Sequence, residues 1–171
     1  MKTKIILSLA VLVFSLLTLF SCGREESIRA QASIDSLQNE LNLLTNSKNQ
    51  LEANKKLVAD LYQELFGDKN VAAIDKYIGD TYIQHNPILP DGKDVLKQAA
   101  TQWFKGAPKE KIDIHHLSAE GDLVYIHTKS IIGGKVSSVI DIFRLENNKI
   151  VEHWDVIQAV PEKSANPHPM F

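Results

Sequence analysis

Four strand-like runs, 111–119, 123–132, 136–145 and 150–160, follow one another with only short breaks between them. The breaks carry Glu120-Gly121-Asp122, Gly133-Gly134 and Asn147-Asn148, residue types that tolerate positive φ in hairpins, so the four strands should form an antiparallel meander. The residues before them follow helical periodicity. Leu57, Val58, Leu61, Tyr62, Leu65 and Phe66 make an amphipathic helix ended by Gly67-Asp68, and 71–78 reads as a second, short helix. A strand-like segment at 80–85 and a turn-rich loop through Asn86-Pro87 and Pro90-Asp91-Gly92 lead to a third helix at 93–105. That helix carries Val95, Leu96, Ala99, Trp103 and Phe104 on its apolar side. Helices first and a meander afterwards indicate an α+β domain with three helices packed on one face of a curved antiparallel sheet. A sheet curling around helices encloses a pocket.

The N-terminus has a different character. Lys2 and Lys4 precede an apolar stretch, 5–20, and then Ser21-Cys22-Gly23, the charged, apolar and small-residue order of a secretory leader. Cys22 is the chain's single cysteine and lies at the expected cut, behind Leu19-Phe20-Ser21. This resembles a bacterial lipoprotein box, which implies cleavage after residue 21, lipidation of Cys22 and a cell-envelope address, periplasmic or surface-exposed. Several acyl chains anchor a protein stably where one does not. From 27 to 66 there is no proline or glycine, and Ile34, Leu37, Leu41, Leu44, Leu51, Val58 and Leu65 recur at heptad spacing. Lys48 and Lys55 interrupt that seam. Residues 22–53 therefore read as a linker and helical stalk pairing in a homodimer, or as a disordered spacer of similar composition. The domain occupies 54–160, and 161–171 forms a proline-containing tail.

The 171 residues are 44% hydrophobic and 23% charged, ordinary for a soluble globular protein with extensions. Without residues 1–21 the chain keeps 17 basic residues against 21 acidic ones, so nucleic acid is not an expected partner. With Cys22 lipidated, no thiol remains for disulfides or nucleophilic catalysis.

Asp141 interrupts the apolar run Val139-Ile140-Asp141-Ile142-Phe143. Burying an unpaired carboxylate costs several kcal/mol, so such a residue lines a cavity, pairs with a partner or moves protons. A tight Gly133-Gly134 hairpin sets His127 opposite Ile140 and one neighbour from Asp141, making His127 and Asp141 a candidate polar pair in one cavity. Tyr125 shares the face of His127, and Phe143 that of Asp141. On the last strand His153 and Asp155 share one face and Trp154 takes the other, so only one of these sets lines the pocket. His85 closes the first strand-like segment, where side chains reach a cavity mouth. His85, His127 and His153 with Asp141 form an acid/base set, because imidazole titrates near neutrality. Other readings of Asp141 are an ion pair with Arg144 or Lys129, or exposure on the outer face. No single element carries His-x-His or Glu-x-x-His spacing, so a metal site would have to be assembled by facing strands.

The block Tyr82-Ile83-Gln84-His85-Asn86-Pro87, the later Asp91-Gly92, and the ending from Phe143-Arg144-Leu145-Glu146-Asn147 to His153-Trp154-Asp155-Val156-Ile157-Gln158 resemble the SnoaL-like polyketide cyclases of the nuclear transport factor 2-like superfamily. The resemblance covers about 54–171. It implies a cone-shaped, often dimeric α+β barrel with the pocket inside, and neither metal nor organic cofactor. In the cyclases of this group a late-strand aspartate performs acid/base chemistry in aldol ring closure, helped by a histidine on the preceding strand. By that resemblance Asp141 is the catalytic base, His127 its helper and His85 a residue near the entrance. Tyr125, Phe143, His153, Asp155 and Trp103 are expected to contact the substrate. The expected function is a lipid-anchored acid/base enzyme, an aldol-type cyclase or isomerase acting on a small apolar carbonyl compound. The alternatives are a ligand-binding lipoprotein without turnover, and an assembly module working through stalk and sheet.

Overall fold

The computed structural model describes the backbone of residues 2–171 and the side chains of 24–171. The expected leader and the expected lipidation at Cys22 concern residues that lie outside the described side chains. Among the described residues no helix is long and apolar enough to cross a membrane. Contacts divide the chain into two units, 1–47 and 48–171.

The first unit consists of helix α1 (Lys2–Leu61), whose C-terminal part belongs to the second unit. Where its side chains are described, the apolar seam faces outward, with Leu37 65% exposed and Ile34, Leu41 and Leu44 similarly open.

In the second unit α1 leads into a wide π-helical turn, Tyr62–Gly67. There is no room for a side chain at position 67, since a Cβ would lie 2.8 Å from the Glu110 carbonyl oxygen. Helix α2 (Ala73–Tyr77) and strand β1 (Ile78–Gln84) follow, then α3 (Lys93–Trp103). The meander is β2 (Asp113–Glu120), β3 (Leu123–Ile132), β4 (Lys135–Glu146) and β5 (Lys149–Ala159). Sheet order is β1-β5-β4-β3-β2, antiparallel throughout the meander and parallel between β1 and β5. The expected turn chemistry is present: Gly133 and Gly134 have φ 57° and 78°, and Asn147 and Asn148 51° and 58°. The short second helix is briefer than its pattern suggests, because Ile78 already has extended backbone and starts β1.

One sheet face is closed by the helices. Val124 and Ile126 of β3, Phe143 and Leu145 of β4 and Ile150 of β5 pack with Val58, Leu61, Tyr62, Leu65, Ile74, Tyr77 and Leu96 into one core. Each such side chain contributes about 1.5–3 kcal/mol by leaving water. Strand alternation turns the neighbours outward, so Ile140 and Val156 stay exposed on the far face. The tail has no regular structure, but Phe171 lies against the rings of His115 and His127, at 5.2 and 6.2 Å between centroids.

Candidate active site

Asp141 sits on the inner face of β4, opposite Ile126 of β3 on one side and Asp155 of β5 on the other. It is 5% exposed and fully engaged. His153 Nε2 lies 2.8 Å from its Oδ1, and the Tyr62 hydroxyl, from the π-helical turn, donates to its Oδ2. The Phe143 ring stacks on His153 at 4.8 Å, and Tyr62 meets Phe143 edge-on at 6.1 Å. An ionisable pair is thus embedded in an aromatic wall.

A second layer of polar contacts arrives from the end of β1. Gln84 Oε1 lies 2.8 Å from His153 Nδ1 and accepts the main-chain N–H of Asn86 at 2.9 Å. Asn86 Nδ2 donates to both oxygens of half-buried Asp155, at 2.9 and 2.7 Å. Gln84 Nε2 donates to the buried Tyr82 hydroxyl at 3.3 Å. Among the described residues, no buried side-chain nitrogen or oxygen lacks a partner. Burial, then the Asp141 charge, raises the Tyr62 hydroxyl well above its usual range. Tyr82 is raised by burial first and by the Asp141 and Asp155 charges after it. Both phenols therefore keep their protons at neutral pH and remain donors.

Asp141, His153 and Asp155 each offer a ligand atom within 4.8 Å of the others, so facing strands do assemble a set able to hold a cation. Those same atoms are already hydrogen-bonded inside the protein. Hydrogen bonds link them in one network that runs from Asp141 through His153, Gln84 and Asn86 to Asp155.

A family model for SnoaL-like polyketide cyclases matches residues 56–163. The chain belongs to that family. No curated protein matches it significantly. An NTF2-like protein from Burkholderia xenovorans LB400 superposes with TM-score 0.56 at 15% identity, covering 67% of this chain and 89% of its own. TsrD from Streptomyces laurentii gives 0.51 at 18% identity, covering 62% and 88%. An LEH-like epoxide hydrolase from M. tuberculosis gives 0.52 at 16%, covering 64% and 85%. At such identities these likenesses establish the fold.

In this SnoaL-like chain His127 does not meet Asp141. The expected register holds, His127 opposite Ile140, and that register is what separates them: Asp141 is opposite Ile126, so His127 projects from the other face. There its Nε2 lies 2.7 Å from Ser138 Oγ and its ring stacks on His116 at 5.4 Å. Burial, followed by the His116 and His115 charges, lowers its pKa. Tyr125, opposite Ile142, shares that outer face and stands apart from the Asp141 wall. His85 also lies outside, stacked on Trp154 at 4.6 Å with Nε2 2.9 Å from Glu152 Oε1. Trp103, 50% exposed, packs edge-on against Phe104 and joins none of these contacts.

Phe143, His153 and Asp155 share the inner sheet face with Asp141, so the inner face of β5 is the His153 face. The alternative ion pairs are not made. Arg144 Nε binds Glu152 at 2.6 Å, and Lys129 Nζ lies over the Phe171 ring. The histidine beside Asp141 therefore comes from the following strand, not the preceding one.

Tyr62, Tyr82, Gln84 and Asn86 were not singled out from the sequence. Three of them carried a usable signal: 82, 84 and 86 alternate with 83 and 85, so an outward His85 implies an inward Gln84 and Asn86. For Tyr62 the helical pattern gave only a core position.

Proposed function

We propose that this lipid-anchored SnoaL-like protein is an acid/base enzyme that moves a proton on the carbon beside a carbonyl group of a small apolar compound, as in aldol-type cyclisation or isomerisation. The observation carrying this reading is the buried Asp141 carboxylate held between His153 Nε2 and the Tyr62 hydroxyl against the Phe143 ring. Each carboxylate oxygen has a second lone pair, so Asp141 can take the C–H proton while its partners stay in place. The electrons of that bond pass to the carbonyl oxygen. The Tyr82 hydroxyl, which accepts from Gln84 Nε2 and keeps its own proton to give, is the donor for that oxygen as charge develops, while Tyr62 stays on Asp141. In the reverse step Asp141 returns the proton to carbon; in ring closure the enolate carbon attacks a second carbonyl of the same molecule and the alkoxide so formed takes the proton from Asp141.

The test is deuterium exchange at the α-carbon of activated ketones. Asp141→Asn should slow it by about 10²–10⁴-fold, the usual worth of a positioned general base. Equal rates would sink the assignment. A hydrophobic ligand bound without exchange in either form would make the domain a binding module. The same reading anchors the chain through Cys22 and pairs it through the α1 seam. Loss of lipid incorporation in Cys22→Ser, and loss of the dimer mass on deleting 27–48, are the expected results.

A further inference from the structure

Gln84 reaches His153 because β1 is irregular. Ile78 pairs with Ile150 and Ile83 with Glu152, so five steps along β1 are spanned by two along β5. Beyond that irregularity Gln84 falls directly beside His153, and the His85 N–H donates to the His153 carbonyl at 2.9 Å.

Which end of the Gln84 amide faces His153 follows from a third group. The main-chain N–H of Asn86 can only donate, and it points at the Gln84 atom that also contacts His153. That atom is therefore the carbonyl oxygen, and a carbonyl oxygen has no proton to give. The proton in the 2.8 Å contact with His153 must sit on Nδ1. The amide nitrogen has its own acceptor in Tyr82.

We propose that Gln84 is a positioning residue that locks the proton onto His153 Nδ1, leaving Nε2 as the one ring nitrogen able to exchange a proton with Asp141. This deepens the acid/base reading above and rests on it for its catalytic meaning. With Nδ1 fixed, one further proton lies on the 2.8 Å line between His153 Nε2 and Asp141 Oδ1. It makes the pair either imidazolium and carboxylate or imidazole and carboxylic acid, both of zero net charge. When Asp141 takes a substrate proton, His153 keeps or receives the shared one without changing tautomer. Asn86 serves the same lock through its main chain while its side chain holds Asp155.

The first measurement reads the ring of the wild-type chain. Long-range ¹H–¹⁵N correlation of the full chain, with the His153 ring assigned by the loss of its signals in His153→Asn, should show a proton on Nδ1 at every pH where the chain is folded. A bare Nδ1 with the proton fixed on Nε2 would overturn the proposal. Gln84→Leu should admit the other tautomer and lower kcat for exchange about 10–100-fold, the scale for losing a group that orients a working histidine, with KM little changed. Gln84→Glu should restore the Nδ1 proton and move the pH profile upward, because an added carboxylate favours imidazolium. Gln84→Leu with one Nδ1–H tautomer and unchanged kcat would also defeat it. If Asp141→Asn leaves exchange intact while Nδ1 is protonated, the assignment of Asp141 as base falls and the tautomer lock stands.

Discussion

Ile126 stands directly across the β3–β4 pairing from Asp141, and His127, one residue further, turns its ring to the opposite side of the sheet. The acid/base pair therefore excludes His127, which joins a cluster with His115, His116, Ser138 and the tail residue Phe171. Because burial and the neighbouring imidazoles depress its pKa, the unfolded chain binds this proton more readily than the folded one. The associated stability is fully present above about pH 6.5, the usual imidazole value, and is lost as pH falls through the lower folded value. His127→Gln should flatten the fall in urea midpoint between about pH 7 and pH 5. Its exchange rate should match wild type, and a large loss would return His127 to the chemistry.

Glu152 gives the second pH dependence. Hydrogen bonds from His85 first and Arg144 second hold its carboxyl below the usual 4.5. That contribution exists above the usual value and disappears as acid protonates the folded carboxylate. In Glu152→Gln, acid unfolding followed by circular dichroism should begin from lower stability at neutral pH and decline less steeply below pH 4.5.

Tyr62→Phe removes the donor to Asp141 Oδ2 while leaving the acceptor buried. Urea denaturation should show a loss of about 1–3 kcal/mol, the cost of a stranded polar group. In an Asp141→Leu background, where His153 Nε2 has lost its partner in both forms, Tyr62→Phe should cost less, because no carboxylate is left stranded by the change. An equal cost in both backgrounds would mean that packing, and not the hydrogen bond, gives Tyr62 its worth.

The two sheet faces should differ sharply in tolerance. Ile126→Ala, at a fully buried site, should cost about 2–5 kcal/mol. Ile140→Ala, on the exposed face, should stay within about 0.5 kcal/mol in the monomer. A heavy loss at Ile140 that depends on protein concentration would identify that face as a contact between copies.

Much of the architecture was legible because it is local. The Gly133-Gly134 and Asn147-Asn148 turns fix two hairpins, and Asp141 within Val139–Phe143 marked the buried charge. The site was misassembled by a single parity choice made twice. Histidine chemistry drew attention to His127 and His85, whereas the pleat sends Ile126, Gln84 and Asn86 to the inner side. The parallel β1–β5 pairing, with its irregularity between Ile78 and Ile83, has no turn to announce it. Nor does hydrophobic periodicity reveal that the Tyr62 hydroxyl ends on Asp141.

The β1–β5 pairing also sets when the site comes into being. Asp141 and His153 are joined by one hairpin, 12 residues apart, but Gln84 and Asn86 lie 69 residues from their partners and Tyr62 lies 79 from Asp141. A chain that has closed its hairpins but not its edge strand possesses the carboxylate and the imidazole without the Gln84 contact to His153 Nδ1. Long-range closures are the slow ones in folding. The polar surroundings of His153 are therefore a property of the finished sheet, complete only where β1 lies beside β5.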